Sequence, residues 1–239
     1  TWAPAEAQGP PAGAGRPVVL EGTLDVLIED LPNSSRIVHH LETADGRRVP
    51  LRFRGAPPDL PTGARVRIDG DLAADGSVTT SSVTTTAVPT SQTLGDKSVL
   101  VVLFNFSTDT SQPFTALTAE SVNAQVRNFY LENSFQQTAL NFTVTGWYTI
   151  SASTATCDYY TWQSQADAAA TSAGFNVSSY ARRIYAFPRV SACAWAGMGN
   201  VGGPRSWING SYSLHVVAHE LGHNFGDQHS HSRKCDLSG

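Results

Sequence analysis

Three cysteines in 239 residues, Cys157, Cys193 and Cys235, with no CxxC pair among them, argue against a structural zinc knuckle or a thioredoxin-like redox site. One disulfide plus one leftover thiol is the simplest account. Positive charge is also scarce: 16 Lys+Arg stand against 20 Asp+Glu, a formal charge of -4, so no surplus exists to hold a phosphate backbone or an acidic membrane surface. Nucleic acid and membrane are therefore not expected partners. The longest apolar run, Val99 to Phe104, falls far short of the roughly 20 residues that cross a bilayer. The opening stretch, "TWAPAEAQGPPAGAGRP", lacks the charged-then-apolar order of a signal peptide, and the sequence reads as a mature or trimmed chain. Methionine occurs once, at Met198.

What is present is the composition of an ordinary globular protein, 41% hydrophobic and 15% charged, at a length that suits two domains better than one. The Pro/Gly/Ala-rich residues 1–17 predict a flexible tail. From Val18 apolar residues alternate, Val18, Leu20, Leu24, Val26 and Ile28 on one face, then Val49, Leu51, Phe53 and Val66, Ile68, Leu72. With Asp-Gly turns in "ADGR" (44–47) and "ADGS" (74–77), residues 18–88 read as about five short antiparallel strands forming a small OB-like β-barrel. Arg47, Arg48, Arg52, Arg54, Arg65 and Arg67 invite a nucleic-acid reading. The only aromatic residue there to stack a base is Phe53, and acids are as numerous, so solvated arginines are the plainer account.

A polar connector, "TTTAVPTSQTLGDK" (84–97), leads to residues 98–239, with the linker proper placed at 89–97. "SVLVVLFNF" (98–106) is nearly all apolar and predicts a strand covered on both faces. Val122, Val126, Phe129 and Tyr130 fall at helical spacing; "ALNFTVTGWYTI" is a further strand; an Ala-rich helix over about 160–173 ends at Gly174; "RRIYAFPRV" is another strand, followed by the loop "GMGNVGG". This is an α/β domain with a mixed sheet. Five Asn-X-Ser/Thr triplets, at Asn33, Asn105, Asn141, Asn176 and Asn209, would suit a secreted protein.

The chemistry is concentrated in "HELGHNFGDQH", 219–229. On a helix, His219, Glu220 and His223 share a polar front, while Leu214, Val217, Ala218, Leu221 and Phe225 form an apolar back. Residues four apart rise about 6 Å, which lets two imidazoles meet one zinc ion. Gly226 stands where the helix must stop, and its left-handed turn brings His229 to the same metal. Three neutral histidines leave a fourth position for water, whose pKa zinc lowers toward about 7, and Glu220 is placed to take its proton. At this composition the five-residue pattern arises by chance with a probability of order 10⁻⁵. His215, one turn upstream, is read as a flanking residue and not a ligand. His39, His40 and His231 lack the spacing and are read as surface or barrel residues.

This stretch matches the HExxHxxGxxH pattern of the metzincin zinc endopeptidases. The segments "FYLENSF", "GWYTI", "CAWAGMGNVGGPRSWING" and "HSHSRKC" resemble their gametolysin-like branch, over 98–239 and not over the barrel. The resemblance implies a secreted zinc metalloendopeptidase with His219, His223 and His229 as ligands, Glu220 as general base, and protein or peptide substrates, extracellular glycoproteins among them. It implies an upper subdomain ending in the zinc helix, an edge strand at about 186–196 that holds substrate in extended form, and a Cys157–Cys193 disulfide within that subdomain. Cys235 would pair downstream. It further implies a methionine turn after the third histidine, whereas Met198 lies before it. The sequence thus reads as a C-terminally incomplete peptidase domain, either a piece of a longer protease or a degenerate one. The rival from another class is a non-catalytic secreted binding or adhesion protein on a protease-like scaffold. The barrel is a propeptide, an inhibitor or a binding module, and since it has no cysteine it cannot supply a cysteine-to-zinc latch.

On this reading the 239 residues bind zinc but digest casein poorly. A longer chain carrying the methionine turn should gain at least about tenfold in rate, a barrier change of roughly 1.4 kcal/mol. Equal rates from the two chains would count against the reading.

Overall fold

The computed structural model describes residues 15–90 and 93–229. Most of the predicted tail, together with His231 and Cys235, lies outside the described residues. The chain divides into two compact units, residues 1–25 with 38–89, and residues 26–37 with 90–239. The short segment 26–37 thus groups with the second unit, although it lies in sequence inside the first.

The first unit is built on β1 (Arg16–Leu31), β2 (Ser34–Thr43), β3 (Arg48–Phe53), β4 (Arg65–Leu72) and β5 (Val78–Ala87). Their order is β2-β3-β5-β4-β1, and β2 also pairs with β1, so the order returns to its start. One pairing departs from the sequence expectation: β3 and β5 run parallel, with Leu51 opposite Val78, while β2–β3, β4–β5 and β1–β4 are antiparallel. β1 also begins at Arg16, before the expected Val18. Of the alternating residues, Leu24, Val49, Leu51, Val66 and Ile68 are buried, joined by Leu41 and Val78, whereas Val18, Leu20, Phe53 and Leu72 are only half-buried. Gly46 and Gly76 hold φ of 79° and 81° in the two Asp-Gly turns, and Asp75 Oδ1 accepts from the Ser77 N–H at 3.0 Å. Five of the six arginines face carboxylates, Arg47 with Asp45, Arg48 with Glu42, Arg52 with Asp75, Arg54 with Asp71 and Arg67 with Glu21. Burial pushes the His39 imidazole down to about 4, with His40 adding to the shift, so it packs neutral against Phe53.

The second unit contains β6 (Gly95–Phe106), α1 (Ala116–Asn133), β7 (Thr138–Ile150), α2 (Tyr159–Ser172), β8 (Arg182–Phe187), β9 (Gly197–Asn200), β10 (Arg205–Asn209) and α3 (Leu214–Phe225). Among the described residues its regular structure is three α-helices, a short 3-10 turn at Val177–Ser179 and a mixed sheet. The order is β9-β10-β8-β6-β7; β10, β8, β6 and β7 run parallel, and β9 is antiparallel to β10. On the outer side of β9, the end of β1 adds an antiparallel strand, Leu27 opposite Asn200 through Asp30 opposite Gly197. β6 begins at Gly95, so the connector is shorter than the expected 84–97 and the linker shorter than 89–97.

The apolar run in β6 is buried because two cores meet across it. Leu100, Val102, Phe104 and Phe106 pack with Trp162, Ala166 and Ala170 of α2, and with Phe187, Trp195 and Trp207. Val99, Val101 and Leu103 point the other way, to Ala119 and Val126 of α1 and Val217 and Leu221 of α3. Asp158 caps α2 by accepting from the Thr161 N–H, and Gly174 (φ 95°) follows its end. The edge strand expected at 186–196 is not there. Its first residues close β8, a parallel strand between β6 and β10, and 188–196 form no strand. Asn209 accounts for this path, because its Nδ2 donates to the carbonyls of Val190, Cys193 and Trp195 and its Oδ1 accepts from the Val190 N–H. Among the described residues no helix is long and apolar enough to cross a membrane.

Cys157 and Cys193 form a disulfide that closes 36 residues of chain, between the start of α2 and the buried loop after β8. Replacing both cysteines by alanine should cost about 2–4 kcal/mol of stability, read as a fall in the urea midpoint with a steeper slope, since the chain without its crosslink exposes more surface on unfolding.

Candidate metal centre

α3 starts after Ser213, whose backbone is extended, and stops at Gly226, whose φ of 103° is the left-handed turn that only glycine takes freely. The N–H groups of Gly226 and Asp227 return to the carbonyls of His223 and Gly222. That turn carries the chain back so that His229 faces the helix it has just left. Val217 and Leu221 anchor the apolar back on the sheet. The front, however, is not a solvent face: Glu220 is 1% exposed and His223 2%.

β9 encloses that front. A Cβ at Gly197 would stand 2.0 Å from Glu220 Oε1, and one at Gly199 would stand 2.8 Å from the Glu220 carbonyl oxygen and 3.0 Å from His223 Cβ. The loop reading of "GMGN" thus gives way to a short strand whose glycines admit the helix's polar side chains. Met198 points to the other face, into the α2-side core. Asn224 completes the docking: its Oδ1 accepts from Ser206 Oγ at 2.9 Å, and its Nδ2 donates to the carbonyls of Asn200 and Arg205 at 3.2 and 2.8 Å.

The structure brings His219, His223 and His229 together and adds Asp30, which the sequence reading did not single out. Asp30 lies in segment 26–37 and so belongs to the same unit as the histidines. Its Oδ2 is 3.0 Å from His219 Nε2 and 3.4 Å from His223 Nε2, and its Oδ1 is 2.9 Å from His229 Nε2. His219 Nε2 and His229 Nε2 are 3.0 Å apart. Nothing local in "IEDLPNSS" marks that aspartate, which reaches the site through strand pairing across 193 positions from His223. His215 is exposed, its ring centred 6.3 Å from that of His219, and it is outside the group. His39 and His40 belong to the first unit.

The electrostatics follow from the cluster. Burial opposes the charge on Asp30, but hydrogen bonds from His219 and His223 outweigh it and hold its carboxyl well below the usual carboxylate range. The hydrogen bond to Asp30 raises His219 against the effect of burial, whereas burial is the largest cause lowering His229. Burial pushes Glu220 well above its ordinary value, and the neighbouring Asp30 charge and hydrogen bond push it further.

The donor set fits a zinc ion. Four ligand atoms at 2.0–2.1 Å around a tetrahedral ion lie roughly 3.3 Å from one another, and the contacts to Asp30 measure 2.9 to 3.4 Å. His223 Nδ1–H donates to the Asp227 carbonyl at 2.8 Å, which leaves Nε2 as the free donor atom. Among the described residues, buried Glu220 Oε2 receives no hydrogen bond from an N–H or hydroxyl group. A cleft of about 1210 Å³ runs beside the cluster, lined by Phe129, Tyr130, His215, His219, His223 and His229 among others.

Comparison with known proteins gives one family match: the profile described as gametolysin peptidase M11 covers residues 115–237, a span containing all three histidines and Glu220. Among solved structures, one described as "Structure of a chaperone-substrate complex" is similar at 14% identity and a TM-score of 0.38, over 78% of this chain and 32% of that one. The chain thus spans about a third of the length of that relative. A search of curated proteins finds no match.

Replacing Asn224 by alanine removes three buried hydrogen bonds between α3 and the sheet. Stability should fall by about 1–3 kcal/mol in urea unfolding carried out with a chelator, so that metal binding does not mask the loss.

Proposed function

Because the chain belongs to the gametolysin peptidase M11 family, we propose that it is a secreted zinc metalloendopeptidase of metzincin type with His219, His223 and His229 as ligands and Glu220 as general base. The observation that carries this reading is the meeting of three imidazole Nε2 atoms beside one buried carboxylate, on a helix ended by Gly226. Zinc bound there supplies a Lewis acid that polarises a peptide carbonyl and makes water acidic enough to lose a proton near pH 7.

The chain's own residues do the rest. Glu220, enclosed by Gly197 and Gly199, takes the proton of the attacking water on its carboxylate and hands it to the leaving amine. Asp227 and Gly226 fix His223 and the return of the chain to His229. A peptidase acts on proteins or peptides, and the cleft beside the histidines offers Phe129 and Tyr130 as apolar contacts for side chains of an extended substrate.

Secretion is supported by the Cys157–Cys193 disulfide and by exposed Asn33, Asn141 and Asn176 in glycosylation triplets, while Asn105 and Asn209 are buried and serve structural roles. The strand order β1-β2-β3-β5-β4 with β3 parallel to β5 supports an OB-like domain over 18–88, followed by a peptidase domain over 98–239.

Metal analysis should find one zinc per chain, loss of stoichiometric binding in His223→Ala, and full occupancy in Glu220→Ala. In any form of the protein that digests casein, Glu220→Ala should lose that activity by at least about 10²-fold. A variant without Glu220 that digests casein undiminished would instead support a non-catalytic role for this glutamate, and His223→Ala with full zinc would remove the ligand assignment.

A further inference from the structure

We infer that the second unit carries a docking face for a second copy of this chain, formed by the outer edge of β7 and one stripe of α1. β7 ends the strand order β9-β10-β8-β6-β7, and among the described residues no strand pairs with its outer side. Natural edge strands are commonly blunted by charge, proline or brevity. β7 has none of these: its 13 residues, "TALNFTVTGWYTI", include no Asp, Glu, Lys, Arg or Pro. An edge of this kind accepts another strand.

The helix beside that edge says which strand it takes. A groove of about 700 Å³ runs between α1 and β7, lined by Glu120, Ala124, Arg127, Leu131, Phe142 and Val144 among others. Leu117, Glu120, Ala124, Arg127 and Leu131 fall within about 80° of one another around α1, at 100° per residue. Leu117 is 74% exposed, and neither Glu120 nor Arg127 has an ion-pair partner among the described residues. The stripe reads alike from both ends: Glu120 and Leu117 stand four and seven residues before Ala124, Arg127 and Leu131 three and seven after it. A second α1 laid antiparallel about a two-fold axis at Ala124 therefore sets Glu120 against the partner's Arg127 and Leu117 against the partner's Leu131, each contact made twice. An extended peptide from another protein would meet the same edge but would have no use for this symmetry.

The same axis suits the strands. Ala124 lies nine residues before the end of α1, roughly 13 Å at 1.5 Å per residue, and Phe142 four residues after the start of β7, roughly 13 Å at 3.3 Å per residue. The two are level, as the groove they share requires. Antiparallel pairing of two β7 edges about Phe142 sets Leu140 against the partner's Val144, and Leu140, Phe142 and Val144 all face the α1-side core. Asn141 points to the other face, clear of the helix pair. The sheet then runs from one copy into the next. β9, which encloses Glu220, is at the opposite end of this strand order, so the pairing does not touch the metal site.

The test is sedimentation equilibrium of the full chain from about 1 to 200 µM, on the wild type and on Glu120→Arg, Arg127→Glu and Ala124→Arg, each checked for folding by urea unfolding. The wild type should be a reversible mixture of monomer and dimer whose dissociation constant rises with salt. Each charge reversal sets like charges together at two points and should weaken the dimer at least about tenfold, as should the large side chain that Ala124→Arg brings to the axis. An equal mixture of Glu120→Arg and Arg127→Glu should restore the dimer to within about threefold of the wild type, because every charged contact in the mixed pair is again between opposite signs. Damage to the fold could not be rescued in that way. A wild type that stays monomeric over the whole range overturns the inference. So does a dimer indifferent to both reversals, or one that the mixture fails to restore, since either would place the contact on another face.

Discussion

Glu220 is enclosed between α3 and two residues of β9 that have no side chains, and this contact constrains most of the peptidase unit. A carboxyl group 1% exposed is costly to bury, and the enclosure stands because the apolar back of the helix is seated on the sheet and Asn224 ties the front to β9 and β10. Fixing the helix in this way fixes the direction of His219 and His223. Gly226 then has one task, to return the chain so that His229 meets them. The short "GMGN" strand is therefore as much a part of the site as the histidine motif, because its glycines set how near the helix can approach.

The sheet beneath explains why such a helix can be held rigidly. β6 has parallel neighbours on both sides and a core on each face, so its strand residues alternate between α2 on one side and α1 with α3 on the other. The Cys157–Cys193 crosslink and the Asn209 side chain hold the irregular stretch 188–196 against the α2-side core. These interactions lie on the face away from the histidines. They steady the sheet that α3 rests on and leave the other face free for chemistry.

An open strand edge is a hazard as well as an opportunity, since its unpaired backbone groups will take any extended chain. Here the outer side of β9 is paired with Leu27–Asp30, and the same four residues set a carboxylate against the three imidazoles.

The local elements were legible in the sequence because their signals are local. Alternation marked β1, β3 and β4, the apolar run marked β6, Gly174 and Gly226 marked the ends of helices, and the helical spacing of His219, Glu220 and His223 placed them together before any fold was known. Strand neighbours were less legible: the parallel β3–β5 pair and the path of 188–196 depend on hydrogen bonds from distant residues, Asn209 among them. The burial of Glu220 was also hidden, since helical angles say which side chains share a face but not what covers it. Asp30 is the clearest case. Its neighbours in sequence suggest only the end of a strand and a turn, and its role arises because β1 pairs with β9 in one register, which sets its carboxylate against three imidazoles nearly two hundred residues away. Periodicity and motif spacing are encoded within a few turns of chain, whereas register between distant strands is decided only when the sheet assembles.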